Sequence, residues 1–130
     1  MNNQRRGGTR TAVAIIRWMP AIAWMGAIFY VSSIPASGLP GGYSQIAHFT
    51  EYAVLAALLV FAVRGGVDPI RTAALVVAFA AFYGMTDEFH QSFVPGRVPD
   101  VHDWLLDTLG AASIAVAWLI SRRAARARER

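Results

Sequence analysis

The 130-residue sequence contains no cysteine, and none of its 12 basic residues is a lysine. Without cysteine, neither a disulfide framework nor a thiolate metal site can form. Charge is scarce as well, since 15% of the residues are charged, against roughly 25% in a typical soluble domain. The sequence also has no G-x-S-x-G nucleophile motif, P-loop or dinucleotide fingerprint. These absences argue against covalent and nucleotide-driven chemistry.

Long apolar stretches are what the sequence has instead. Apolar side chains make up 55% of the residues, and a membrane-spanning helix requires about 20 mostly apolar residues in succession. Four stretches come close to this length, at about Val13–Ser32, Gln45–Val63, Arg71–Gln91 and Asp103–Ile120. The first is expected to be retained in the mature protein, because its apolar region is too long for a usual signal peptide.

The four stretches predict an all-α fold, namely a four-helix transmembrane bundle with a short, re-entrant-like outer loop between the third and fourth helices. The bundle is predicted to form one domain over residues 13–121. A basic N-terminal segment, 1–12, and a basic tail, 122–130, flank it.

The arginines predict the orientation of this bundle. One side of the membrane receives ten of them, which are Arg5, Arg6, Arg10, Arg64, Arg71, Arg122, Arg123, Arg126, Arg128 and Arg130. The loops on the opposite side contain only Arg97. Because arginine concentrates in cytoplasmic segments, both termini are predicted to be cytoplasmic. The tail is expected to contact anionic lipids rather than nucleic acid.

The acidic residues gather near the opposite, outer side. Six of the eight lie there, namely Glu51, Asp87, Glu88, Asp100, Asp103 and Asp107. At a rise of 1.5 Å per residue, Glu51, Asp87 and Asp107 are expected roughly 6 to 9 Å beneath the outer boundary of the hydrocarbon layer. Three different helices therefore bring a carboxyl group to one level.

Spacing within each helix places polar side chains on a shared face. The sets are His48 with Glu51 and Tyr52, Asp87 with Gln91, Glu88 with Gln91, and Asp103 with Asp107. Ionisable groups inside a membrane are costly and usually functional. An alternative is that they join the helices by hydrogen bonds alone. We favour a polar pocket, because serine, threonine or asparagine could join helices without desolvating a charge.

The loop FVPGRVPDVH between the third and fourth helices is expected to turn back toward this pocket. Pro95 and Gly96 favour a tight turn, type II if Gly96 has a positive φ. The guanidinium of Arg97 could pair with a carboxylate or hold an anionic ligand. His90 and His102 are predicted to lie outside the site, since neither shares a helical face with an obvious partner.

Four segments resemble the VanZ-like family of small bacterial membrane proteins. They are FYVSSIP at the end of the first span, HFTEYAVL (His48–Leu55), DEFHQSFVPGR (Asp87–Arg97) and DWLLDTLG (Asp103–Gly110). Two positions depart from the family pattern, since Gln45 replaces a frequent lysine and Asp107 a usual asparagine. The resemblance implies a bacterial cytoplasmic (inner) membrane protein of the cell envelope. For the family's namesake it implies resistance to the glycopeptide antibiotic teicoplanin.

Two classes of function remain open from the sequence. In the first, the pocket binds without catalysis, and its ligand is a lipid-linked cell-wall intermediate, another peptidoglycan-related head group or a glycopeptide. The ligand-binding residues would be His48, Glu51, Tyr52, Asp87, Glu88, Gln91, Arg97, Asp103 and Asp107. Membrane lipids and a second copy of the chain are further candidate partners.

In the second class, the protein is a membrane-embedded hydrolase or transferase. Glu51, Asp87 or Glu88 would act as general base, His48 as proton shuttle and Arg97 as stabiliser of negative charge. Carboxylates could also hold a hard divalent cation. No metal-binding spacing is present, however, and neither a metal nor another cofactor is predicted.

Overall fold

The protein is a bundle of four helices. The computed structural model describes residues 3–38, 45–63 and 68–129, with side chains from residue 13 onward. Its elements are α1 (Asn3–Ser32), a 3-10 turn (Ala36–Gly38), α2 (Gln45–Val63), α3 (Pro69–Gln91) and α4 (Val101–Arg128). No strand occurs in the described ranges, so the predicted all-α fold is confirmed. The predicted cytoplasmic Arg64 and Arg130, and the side chains of Arg5, Arg6 and Arg10, lie outside the described part.

All four helices are long and apolar enough to cross a membrane. Their spans are Val13–Ser32, Gln45–Val63, Pro69–Gln91 and Val101–Arg128. The first two coincide with the predicted stretches, and the fourth helix continues beyond the predicted end at Ile120. Large apolar side chains such as Ile22, Phe82 and Leu109 are exposed on the outside of the bundle, where lipid would cover them. The chain is therefore a multi-pass membrane protein.

α2 lies at the centre and packs most extensively against α4. Gly110 of α4 makes this approach possible. A Cβ added there would lie 2.2 Å from the carbonyl oxygen of Phe49 on α2, far inside van der Waals contact. Because only glycine lacks a Cβ, the two backbones can meet at this point, as small residues allow in membrane helix pairs.

Aromatic side chains join the helices by donating hydrogen bonds to backbone carbonyl oxygens. Trp24 Nε1 of α1 donates to Glu51 O of α2 at 2.9 Å. The Tyr83 hydroxyl of α3 donates to Met25 O at 2.7 Å. Trp104 Nε1 of α4 donates to Ala81 O of α3 at 2.8 Å. Buried Tyr and Trp groups need such partners, and these contacts constrain how each helix is rotated about its axis.

The loop between α3 and α4 folds back onto the end of α1. Gly96 has a φ of 77°, and the Arg97 amide donates to Val94 O at 3.1 Å, which matches the predicted turn. The Arg97 guanidinium then reaches the carboxyl end of α1, where Nη2 donates to Val31 O at 3.1 Å, while Nε donates to Ile34 O just beyond the helix at 3.2 Å. One arginine thus joins the loop to the last turn of α1 and to the residue Ile34 that follows it.

Candidate functional site

The nine predicted ligand-binding residues all lie at one end of the bundle. We call this end, formed by the carboxyl ends of α1 and α3 and the amino ends of α2 and α4, the polar end, and the nine residues the polar cluster. Six of the nine are buried, namely His48, Tyr52, Asp87, Glu88, Gln91 and Asp107. Glu51, Arg97 and Asp103 are partly exposed. The structure therefore brings together the residues that the sequence pattern grouped.

His48 lies between two carboxyl groups of α4. Its Nδ1 is 3.2 Å from Asp107 Oδ1, and its Nε2 is 3.7 Å from Asp103 Oδ2. The i, i+4 spacing of the two aspartates places them on one face of α4, and α2 presents the imidazole to that face. Asp107 has no solvent-exposed surface, whereas Asp103 is partly exposed. A buried carboxyl group can hold an imidazole in one tautomer and orientation.

Asp87 connects α3 with α1. Its Oδ1 accepts a hydrogen bond from Ser32 Oγ of α1 at 2.5 Å, and its Oδ2 accepts one from Gln91 Nε2 at 3.1 Å. The second bond is the i, i+4 pair predicted from the sequence. Ser32 is 4% exposed and belongs to the site. Sequence analysis missed it, because a lone serine at the end of an apolar span has no polar partner at helical spacing.

Glu88 connects the cluster with the start of α4. Its Oε2 accepts a hydrogen bond from the Asp100 backbone amide at 2.7 Å, whereas Oε1 has no hydrogen-bond partner among the described residues. The side chain of Asp100 in turn accepts from the His102 amide at 2.8 Å and caps α4. The hydrogen bonds from the His102 backbone and imidazole lower the pKa of Asp100. The capping carboxylate therefore stays charged below the usual pH range of an aspartate.

Tyr52 and Gly84 form the floor of the cluster. The Tyr52 side chain is fully buried, and its hydroxyl has no hydrogen-bond partner in the part of the chain that is described. A Cβ at Gly84 would lie 3.1 Å from Asp107 Oδ2 and 3.3 Å from Tyr52 Cε1. Glycine here lets α3 approach both side chains. The Asp107 Oδ2 atom likewise has no described hydrogen-bond partner.

Two surface features adjoin the cluster. A cleft, whose polar lining is Ser32, His48, Glu51, Asp87, Gln91 and Arg97, is too narrow for a water-sized molecule. Beside it lies a wider groove of about 220 Å³. The residues that form this groove, here called the Glu88 groove, are Met85, Glu88, Pro99, Asp100, Val101 and Trp104. Its walls are mostly apolar, so Glu88 lies where the buried polar cluster meets a surface suited to a hydrocarbon chain.

The two histidines predicted to lie outside the site are held by contacts with other residues. His90 Nε2 is 3.0 Å from Ser33 Oγ, and its ring stacks on Phe29 with centroids 4.3 Å apart. The imidazole of His102 is exposed and lies 2.9 Å from Asp100 Oδ1. Neither ring contacts the polar cluster in these interactions.

The motifs that surround these residues match a known protein family. A family model described as VanZ/LLP1 matches residues 9–122, which includes the first three spans, most of the fourth and the whole polar cluster. The chain belongs to the VanZ/LLP1 family. No curated protein and no solved structure matches it. The VanZ/LLP1 match therefore confirms the resemblance on which the sequence interpretation depended, and it assigns no ligand to the site.

Proposed function

We propose that this VanZ/LLP1 protein binds a lipid-linked or peptidoglycan-related head group at the Glu88 groove, on the outer side of the bacterial cytoplasmic membrane. One observation carries the proposal. Glu88 is 8% exposed, keeps one carboxyl oxygen without a described hydrogen-bond partner, and forms part of an otherwise apolar groove. An amphiphilic ligand matches both properties, since its chain would occupy the groove while a polar group reaches Glu88.

The chemistry of the site favours a head group that donates hydrogen bonds. Carboxylates accept such bonds and donate none when ionised, and carboxyl groups outnumber basic groups in the polar cluster. Sugar hydroxyls and peptide amides, which peptidoglycan-related molecules carry, are suitable donors. The groove volume of about 220 Å³ is below the range of roughly 300–1,000 Å³ for drug-sized ligands. A whole glycopeptide therefore fits less well than part of a lipid.

The first test measures which lipids remain bound to the purified protein. Wild type, Glu88→Gln and Val101→Trp would be extracted in mild detergent, and bound lipids identified by mass spectrometry. We expect wild type to retain a lipid-linked saccharide or peptide. Both variants should retain at least about tenfold less of it, which corresponds to a loss of ~1.4 kcal/mol of binding free energy. Val101→Trp fills the groove without changing a charge.

Asp68→Asn is the matched control, because Asp68 caps α3 at the opposite end of the bundle. This variant should retain the lipid as wild type does. Equal retention by Glu88→Gln and wild type would refute the proposal. If the function extends to teicoplanin resistance, wild type should raise the resistance of a sensitive bacterium, and Glu88→Gln should not.

The enzymatic alternative has one observation in its favour. His48 and Asp107 form a buried pair at 3.2 Å, and a carboxylate that orients an imidazole is a common arrangement for general bases. In this case wild type would convert the bound lipid during incubation, and His48→Gln would retain it unchanged. Retention without turnover by wild type supports the binding function.

Orientation is tested separately, and the absence of cysteine makes the measurement simple. Val98 is 81% exposed in the loop at the polar end, and Ala125 is exposed near the end of α4. With both termini cytoplasmic, Val98→Cys should react with a membrane-impermeant maleimide on intact cells. Ala125→Cys should react only after the membrane is permeabilised. The reverse pattern would place the Glu88 groove on the cytoplasmic side.

A further inference from the structure

We propose that His48, Glu88 and Asp107 form a binding site for a divalent transition-metal ion, of which Zn²⁺ is the best match. The three residues come from α2, α3 and α4, and each offers a ligand atom within 4.8 Å of the other two. This site shares Glu88 with the lipid site above, but binding of the ion requires no lipid. It also departs from the sequence prediction of no metal, since three helices supply the ligands and no local spacing can reveal them.

The donor set suits zinc. One imidazole nitrogen and two carboxylate oxygens are among the ligands that Zn²⁺ binds at about 2.0–2.2 Å. Ligand atoms of a tetrahedral zinc ion lie roughly 3.4 Å apart, so a pair at the full 4.8 Å would have to approach by about 1.4 Å. Rotation of the Glu88 or Asp107 carboxyl group achieves a movement of that size. The three protein ligands leave a fourth position for water or for an oxygen atom of a ligand.

Two of the proposed metal ligands each have a carboxyl oxygen atom that accepts no hydrogen bond from the described residues. Glu88 Oε1 and Asp107 Oδ2 are both buried and have no hydrogen-bond partner among the residues described. Glu88 is 8% exposed and Asp107 has no exposed surface. Leaving such an atom unpaired costs about 1–3 kcal/mol, and more when it is charged. A cation bound between these oxygens would satisfy both and offset the negative charge.

The surroundings of the histidine fit the same role. Metal-bound histidines commonly donate their other ring N–H to a carboxylate, which fixes the ring. Each nitrogen of His48 has such a neighbour, since Nδ1 is 3.2 Å from Asp107 Oδ1 and Nε2 is 3.7 Å from Asp103 Oδ2. Whichever nitrogen faces the ion, a carboxyl group lies near the other.

The test measures binding of metal alone to the full-length protein in detergent. After treatment with a chelator, wild type would be titrated with Co²⁺, whose visible absorption reports coordination by nitrogen and oxygen, and with Zn²⁺, quantified by mass spectrometry. We expect wild type to bind one ion per chain. His48→Gln and Asp107→Asn, both close in shape to the original residues, should bind at least about tenfold more weakly.

His102→Gln is the matched control, because it removes an exposed histidine that also lies beside an aspartate. It should bind the ion as wild type does. The inference is overturned if wild type binds no ion, or if His48→Gln and Asp107→Asn bind it as tightly as wild type does. Because the absence of an ion from wild type alone overturns the inference, a folding defect in a cluster variant does not hide its failure. No lipid is added and the readout is the bound ion, so failure here is distinct from failure of the lipid-binding proposal.

Discussion

Replacing Gly110 by alanine is expected to destabilise the bundle more than the same substitution at any other described glycine. The new Cβ would lie 2.2 Å from Phe49 O and 3.2 Å from the backbone nitrogen of Ala53. Backbone atoms cannot rotate away as side chains can, so α2 and α4 have to separate. Overpacking a core costs about 1–3 kcal/mol and occasionally more, and we expect the upper end. Thermal unfolding in detergent should occur roughly 10 °C lower.

Gly26 provides the control for this prediction. It lies within α1, and a Cβ there would meet nothing within 4 Å. Because alanine has a higher helix propensity than glycine, Gly26→Ala should unfold at the wild-type temperature or slightly above it. Size-exclusion chromatography would show whether Gly110→Ala is still a monodisperse species. A Gly110→Ala protein that unfolds with wild type would show that α2 and α4 do not pack as described.

Removing the Arg97 side chain is expected to loosen α1 from the rest of the bundle. The guanidinium donates to Ile34 O and Val31 O, and α1 makes only a narrow direct contact with α3. Hydrogen bonds to a charged donor contribute about 1.5–3 kcal/mol each. Arg97→Ala should therefore lower the free energy of unfolding by about 3 kcal/mol or more. Hydrogen exchange should increase first at the carboxyl end of α1.

Lysine should restore little of this stability, because Nε and Nη2 of Arg97 reach two different carbonyl groups. A single ammonium group does not reproduce that planar fork. Arg126→Ala, which removes an exposed arginine at the opposite end, is the control and should unfold as wild type does. Full rescue by Arg97→Lys would mean that position 97 needs a positive charge and not a bridge to α1.

Much of this architecture could be predicted from the sequence, because membrane helices leave a strong signal in a single chain. Long apolar runs located all four spans, and i, i+4 spacing identified the pair of Asp87 and Gln91. Pro95 and Gly96 indicated the turn before α4. Each of these features is local, so it depends only on residues that are close together along the chain.

Contacts between helices could not be predicted in the same way. The bond from Ser32 to Asp87 joins residues 55 positions apart, and Trp24 reaches Glu51 across 27. The hydrogen bonds from Arg97 to Ile34 O and Val31 O likewise join residues 63 and 66 positions apart. Loop conformation determines that outcome, and no periodicity in the sequence encodes it.

The Glu88 carboxyl group accepts a hydrogen bond from the Asp100 amide with only one of its two oxygen atoms. Its Oε2 holds the residue just before α4, and its Oε1 is buried without a hydrogen-bond partner among the described residues. A ligand that moved the Glu88 carboxyl group inward would therefore displace the backbone at Asp100 or break this hydrogen bond. Binding of a ligand at the buried Glu88 carboxyl group would then change the stability of the first turn of α4, which lies at the exposed end of the bundle.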